Sequence, residues 1–104
     1  MKLDSVDAPI TVGSSNVELN DALRDHARGS ILRLAGKYFG RLTTAAVHFN
    51  QEGKDYRCSV NMQMGGLNMV SAEAVEGSTR RAFDAALDRV EKQLRRYKRE
   101  MRES

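Results

Sequence analysis

The residues best equipped for chemistry are cations crowded near the end of the chain. Residues 80–104 hold 9 Lys and Arg against 5 Asp and Glu, a net charge of +4, while residues 1–79 hold 8 against 9, a net charge of −1. A local positive excess attracts polyanions, whereas a scattered one mainly aids solubility. Arg81, Arg89, Lys92, Arg95, Arg96 and Arg99 fall on one side of a helix at about 100° per residue. The other side carries Phe83, Ala86, Leu87, Val90, Leu94, Tyr97 and Met101, and Asp88 is the main acidic interruption of the basic side. Guanidinium forks bind phosphate bidentately, which suits such a face to a nucleic-acid backbone. A solvated charged face is the plainer reading of the same pattern.

Other chemistries have less material. His48 and Cys58 are the only pair with base and nucleophile character, and strand alternation sends His48 outward and Cys58 inward. Cys58 then reads as a small buried hydrophobe, and His26 and His48 as ordinary surface or edge residues. One Cys and two His offer neither C-x-x-C nor H-E-x-x-H spacing, so no metal is expected. No phosphate-cradling glycine motif is present, and Asp84 and Asp88, one helical turn apart, suit intrahelical ion pairs. We expect no enzyme, no cofactor and no small-molecule substrate. A lone Cys fits a reducing cytoplasm, and neither a signal-peptide core nor a run approaching the roughly 20 apolar residues of a membrane span is visible.

These side chains need a scaffold, and 104 residues with 40% hydrophobic and 30% charged content are expected to form one domain over 1–104. Pro9 to Val12, give or take a residue or two at either end, reads as a strand ending in the turn cluster Gly13, Ser14, Ser15, Asn16. Asn20 is placed to cap a helix from Asp21 to Phe39, with Leu23, Ala27, Ile31, Leu34 and Tyr38 at helical spacing and Gly40 as its stop. Gly29, Ser30 and Gly36 weaken that helix by up to about 1 kcal/mol each. Arg24 and Arg28 flank one side of its apolar stripe, Arg33 and Lys37 the other, lining a groove with the last helix or merely solubilising the edges.

The period then shortens to two. Ala45, Val47 and Phe49 oppose Thr44, Ala46 and His48; a loop is expected over Asn50 to Asp55; Tyr56, Cys58, Val60, Met62 and Met64 then alternate with Arg57, Ser59, Asn61 and Gln63. Gly65 and Gly66 permit a hairpin into a strand from Leu67 to Ala74, and Ser78 caps the last helix. Met62, Met64 and Met69 are expected as core fill. The order β-α-β-β-β-α makes a two-layer α+β sandwich: a four-stranded sheet covered on one face by two helices.

With the elements placed, the chain resembles the ribosome hibernation-promoting factor family, also called ribosome-associated inhibitors or sigma-54 modulation proteins. The stretch from Asn16 to His26 (NVELNDALRDH) looks like the family's start of helix one, and Lys37-Tyr38-Phe39 like its end. Ser71-Ala72-Glu73-Ala74 looks like the final strand. Ala82-Phe83-Asp84 and the run Asp88 to Leu94 (DRVEKQL) are similar to the family's Ala-Ile-Asp and Asp-Lys-Leu-Glu-Arg-Gln-Leu. No piece is specific alone; their occurrence together and in order covers nearly the whole chain.

The resemblance implies a cytoplasmic protein that binds the small ribosomal subunit in the channel of messenger and transfer RNA, blocks translation and preserves idle ribosomes. It carries the family's basic positions onto Arg89, Lys92, Arg96 and Arg99 of the last helix and onto Arg33 of the first, as contacts to ribosomal RNA. Ser78-Thr79-Arg80 stands where the family commonly has Asp-Met-Tyr, Ser30 replaces a family Lys, and helix one carries an extra residue near Gly36. An end at Ser104 leads us to expect a short form or an isolated N-terminal domain. Arg41 and Arg57 are weaker candidates. The competing class is a protein-partner module using an exposed sheet edge or the face of Arg57, Ser59, Asn61 and Gln63.

Overall fold

A computed structural model describes residues 10–38, 42–65 and 68–103, with side chains described as far as Glu100. The elements are β1 (Ile10–Ser14), α1 (Asp21–Tyr38), β2 (Leu42–Glu52), β3 (Asp55–Met64), β4 (Val70–Glu76) and α2 (Thr79–Glu103). The sheet order is β1-β2-β3-β4. Strand β1 runs parallel to β2 because α1 carries the chain back across the sheet, and the other pairings are antiparallel. This is the expected β-α-β-β-β-α sandwich. Helix α1 lies over β1 and β2, and α2 over β3 and β4.

Alternation fills one side of the sheet. Ile10, Val12, Ala45, Val47, Phe49, Cys58, Val60, Met62, Met64, Val70 and Ala74 are buried beneath Leu23, Ala27, Ile31 and Leu34 of α1 and Ala82, Phe83, Ala86, Val90 and Leu94 of α2. Burial of the thiol pushes the Cys58 pKa up to about 12, so at neutral pH it behaves as an inert core group. His48 and Cys58 occupy opposite faces, as alternation requires. Both helix starts carry the expected caps: Asn20 Oδ1 accepts from the Leu23 amide at 2.8 Å, and Ser78 Oγ from the Arg81 amide at 3.2 Å.

The structure settles three boundaries, the first within the range expected. Strand β1 continues through Gly13 and Ser14, which pair in parallel with His48 and Phe49; Pro9, like Phe39 and Gly40, lies outside the described residues. The loop expected over Asn50 to Asp55 is a two-residue turn, Gly53 and Lys54, with Glu52 paired to Asp55 and Gly53 at φ 63°, a conformation glycine adopts without a Cβ penalty. The polar residues that suggest a loop extend the hairpin instead. Asn16 Oδ1 accepts from the Gln51 amide at 2.9 Å, and Glu52 holds Arg57 through two bonds of 2.6 and 3.0 Å.

The third change is at β4, which begins at Val70 rather than Leu67 and runs to Glu76. Gly66 and Leu67 lie outside the described residues. Met69 precedes the strand and is 53% exposed, so it is not core fill, while Met62 and Met64 are.

Candidate nucleic-acid interface

On α2 the apolar stripe faces the sheet, which turns the cations away from it. Arg81, Arg89, Lys92, Arg95, Arg96 and Arg99 are all exposed. The side chain of Met101, at the end of the stripe, lies outside the described residues.

Exposure is common to these cations, but their partners differ. Arg89 Nη1 donates to the Glu73 carbonyl at 2.5 Å, and Gln93 Nε2 donates to the Ser71 carbonyl at 2.8 Å, so α2 covers backbone acceptors of edge strand β4. Arg24 does the same at the other edge, donating to the Val12 carbonyl of β1 at 3.1 Å. It therefore does not line a groove with α2, and Arg28 shares its flank of α1. Arg81 faces Glu76 at 3.9 Å and Lys92 faces Asp88 at 3.4 Å. Arg33 Nη2 donates to Ser30 Oγ at 3.3 Å. Arg28, Arg33, Arg96 and Arg99 have no carboxylate partner among the described residues.

Where the two helices meet, Arg33 and Lys37 line a groove with Leu87 and Glu91. Glu91 organises its far end. Its Oε2 accepts from the Tyr38 hydroxyl at 2.7 Å and from Lys37 Nζ at 2.9 Å, and lies 3.6 Å from Arg95 Nη2. The hydrogen bonds from Lys37 and then Tyr38 hold the Glu91 carboxyl below its usual range, and the bond to Glu91 raises Lys37. Arg95 is raised too, first by the bond its Nε donates to the Tyr38 hydroxyl at 3.4 Å. Beyond them, Lys37, Tyr38, Arg95, Lys98 and Arg99 line a cleft of about 290 Å³.

Lys98 is a cation of α2 that the sequence pattern left unplaced. It lies four positions after Leu94, at the flank of the apolar stripe, and its ammonium sits 5.5 Å from the Tyr38 ring centroid. That flanking position was the available signal. His26 is likewise more than a surface residue: half-buried, it bonds Asp84 at 2.8 Å and sets its ring edge-on to Phe83 at 5.5 Å, tying α1 to α2. Asp84 also makes the intrahelical pair expected of it, with Arg80 at 3.6 Å.

The open sheet face is built differently. Arg57 is clamped between Glu52 and Glu73, and His48 bonds Ser15 Oγ at 2.8 Å. Arg41 lies outside the described residues. Among the described residues no His, Cys, Asp and Glu cluster has the makings of a metal site, and no helix is long and apolar enough to cross a membrane.

Fold and charge together define a small α+β domain that presents a cationic helical layer. The family model described as sigma 54 modulation protein / S30EA ribosomal protein matches residues 10–102, and the chain belongs to that family. It is 29% identical over 96 residues to a ribosome hibernation promotion factor of Rhizobium meliloti (strain 1021), covering 90% of this chain and 50% of that protein. The chain thus spans about half the length of this curated relative. Among solved structures, the N-terminal domain of Thermus thermophilus Protein Y superposes with a TM-score of 0.73 at 28% identity, covering 84% of this chain and 94% of that one. A ribosomal subunit interface protein of Coxiella burnetii gives a TM-score of 0.74 at 19% identity, covering 86% and 96%, and shares the fold.

Proposed function

We propose that residues 1–104 are the ribosome-binding unit of a non-enzymatic hibernation factor. It binds the small ribosomal subunit in the cytoplasm, within the channel of messenger and transfer RNA, and so blocks translation. The observation that carries this is the helical layer: in a member of this family, Arg33, Arg96 and Arg99 are exposed and without a carboxylate partner among the described residues.

Binding follows from charge and shape. Exposed guanidinium groups exchange water and counterions for phosphate oxygens, so affinity falls as salt rises. Arg96 and Arg99 are the primary contacts and Arg33 the contribution of α1, with Arg28, half-buried on the flank of Arg24, secondary. Arg89, Lys92, Arg95, Arg81 and Lys37 add positive potential while keeping neighbours of their own. Arg24 is the least available, because its guanidinium holds β1. Among the described residues the basic face has no freely exposed aromatic on which a base could stack, and recognition runs through backbone and shape rather than base edges.

Sedimentation of purified small subunits with the protein through sucrose gradients, paired with a translation assay in the same salt, tests the reading. Replacing Arg89, Lys92, Arg96 and Arg99 together by Ala should release the protein from the subunit and relieve inhibition. It should also flatten the salt dependence by about 0.7 in log-log slope for each phosphate no longer neutralised. Unchanged co-sedimentation would reject the assignment.

A further inference from the structure

We propose that the cleft between the C-terminal ends of α1 and α2 is a phosphodiester-binding site, with Lys98 and Arg95 as its principal donors and Lys37 and Arg99 at its rim. This rests on the reading of the helical layer as an RNA-binding surface and adds to the contacts of Arg96 and Arg99 a pocket that takes one phosphate. Four cations line the cleft, and among the described residues the carboxylates acting on them are Glu91 and, on Arg95, Asp88, so positive charge outnumbers negative there. Its volume of about 290 Å³ lies near the lower limit of ligand pockets, about 300 Å³, which favours a small charged group over a large apolar one.

The cations are also held in place before any ligand arrives. Lys37 and Lys98 both lie over the Tyr38 ring, at 5.4 and 5.5 Å from its centroid. Arg95 bonds the hydroxyl of the same Tyr38. Glu91 Oε2 accepts from both Lys37 and that hydroxyl, so one carboxylate oxygen and one aromatic ring together arrange three of the four cations. Long side chains ordered in advance lose less entropy on binding. A phosphate suits them better than a planar carboxylate, because its oxygens can accept from several donors that converge from different directions. Arg89 and Lys92, farther along the helix, lack this arrangement: one donates to the backbone of β4 and the other faces Asp88.

The test is amide NMR of the whole chain titrated with single-stranded hexauridylate and, separately, with inorganic pyrophosphate, with far-UV circular dichroism confirming each variant's fold. Hexauridylate should shift the amides of Lys37, Tyr38, Arg95, Lys98 and Arg99. Lys98→Ala should weaken its binding about fivefold to tenfold and lower the salt slope by about 0.7; adding Arg95→Ala should abolish it, while Arg57→Ala leaves it intact. Shifts centred on Arg89 and Lys92, wild-type affinity in the double variant, or a response to pyrophosphate alone would each overturn the proposal. Sedimentation with small subunits separates the two claims. Subunit binding indifferent to Lys98 and Arg95 sinks the cleft and leaves the hibernation reading standing. Hexauridylate binding at the cleft without subunit binding does the reverse.

Discussion

The two faces of this molecule carry arginines in opposite circumstances. On the open sheet face, Arg57 lies between Glu52 and Glu73, and the pairing drives its guanidinium still further toward the charged form. On the helical layer, Arg96 and Arg99 have no carboxylate partner among the described residues, and Lys98 rests on an aromatic ring. Cation counts therefore mislead. What a polyanion meets is the charge left after internal pairing, and that remainder lies at the far end of α2 and beside Tyr38. The same comparison weighs against a protein-binding sheet edge, since Arg24 on one side and Arg89 with Gln93 on the other already occupy edge carbonyls.

The contrast between faces is broken most completely by removing the layer itself. Phe83 of α2 is fully buried against the sheet, and Phe83→Ala should cost about 3–5 kcal/mol, read as a lower urea midpoint and reduced subunit binding at temperatures where wild type is folded. Next in size is a direct comparison of the arginines. Arg96→Ala with Arg99→Ala should weaken subunit binding by about 10- to 100-fold, as expected for removal of charge-assisted hydrogen bonds. Arg57→Ala should change it by less than about twofold; equal effects would erase the distinction drawn between the faces.

A smaller effect sharpens the role of α1. Asn20→Ala removes the cap seen at Leu23 and should cost about 1 kcal/mol of stability, while affinity measured well below the unfolding transition stays close to wild type. The smallest is a pH effect. The folded-state pKa of Glu91 is lowered, so the folded protein favours its charged form and the unfolded chain binds the proton more readily in acid. Its contribution is fully present above the ordinary carboxylate value of 4.5 and is lost as pH falls through the lowered folded value. For a partly exposed pair we expect about 1 kcal/mol or less, visible as a shallower acid limb of the urea midpoint against pH in Glu91→Gln.

Hydrophobic spacing made most of the fold legible. Period two over Tyr56 to Met64 and period 3.6 over Phe83 to Leu94 each allow one burial geometry, so strand faces and the inward side of α2 followed from residue order alone. The caps at Asn20 and Ser78 are local chemistry and were equally readable. The hairpin at Gly53 was not, because Gln51 and Glu52 look like loop residues until Asn16 and Arg57 are brought beside them by β1 and β3. Met69 was misplaced because an apolar side chain before a strand carries no mark of which way the chain enters.

The candidate interface divides in the same way. Residue order determined that the last helix would turn a basic side outward, since an amphipathic helix over a sheet has no other stable orientation. Which cations stay available was decided only by tertiary structure. Arg24 reaches β1, Arg89 reaches β4, and Lys37, Tyr38, Glu91, Arg95 and Lys98 converge from two helices whose meeting residues are far apart in the chain. Helical spacing tells which side of one helix a residue takes; pairing across elements depends on distances that exist only once the elements have packed.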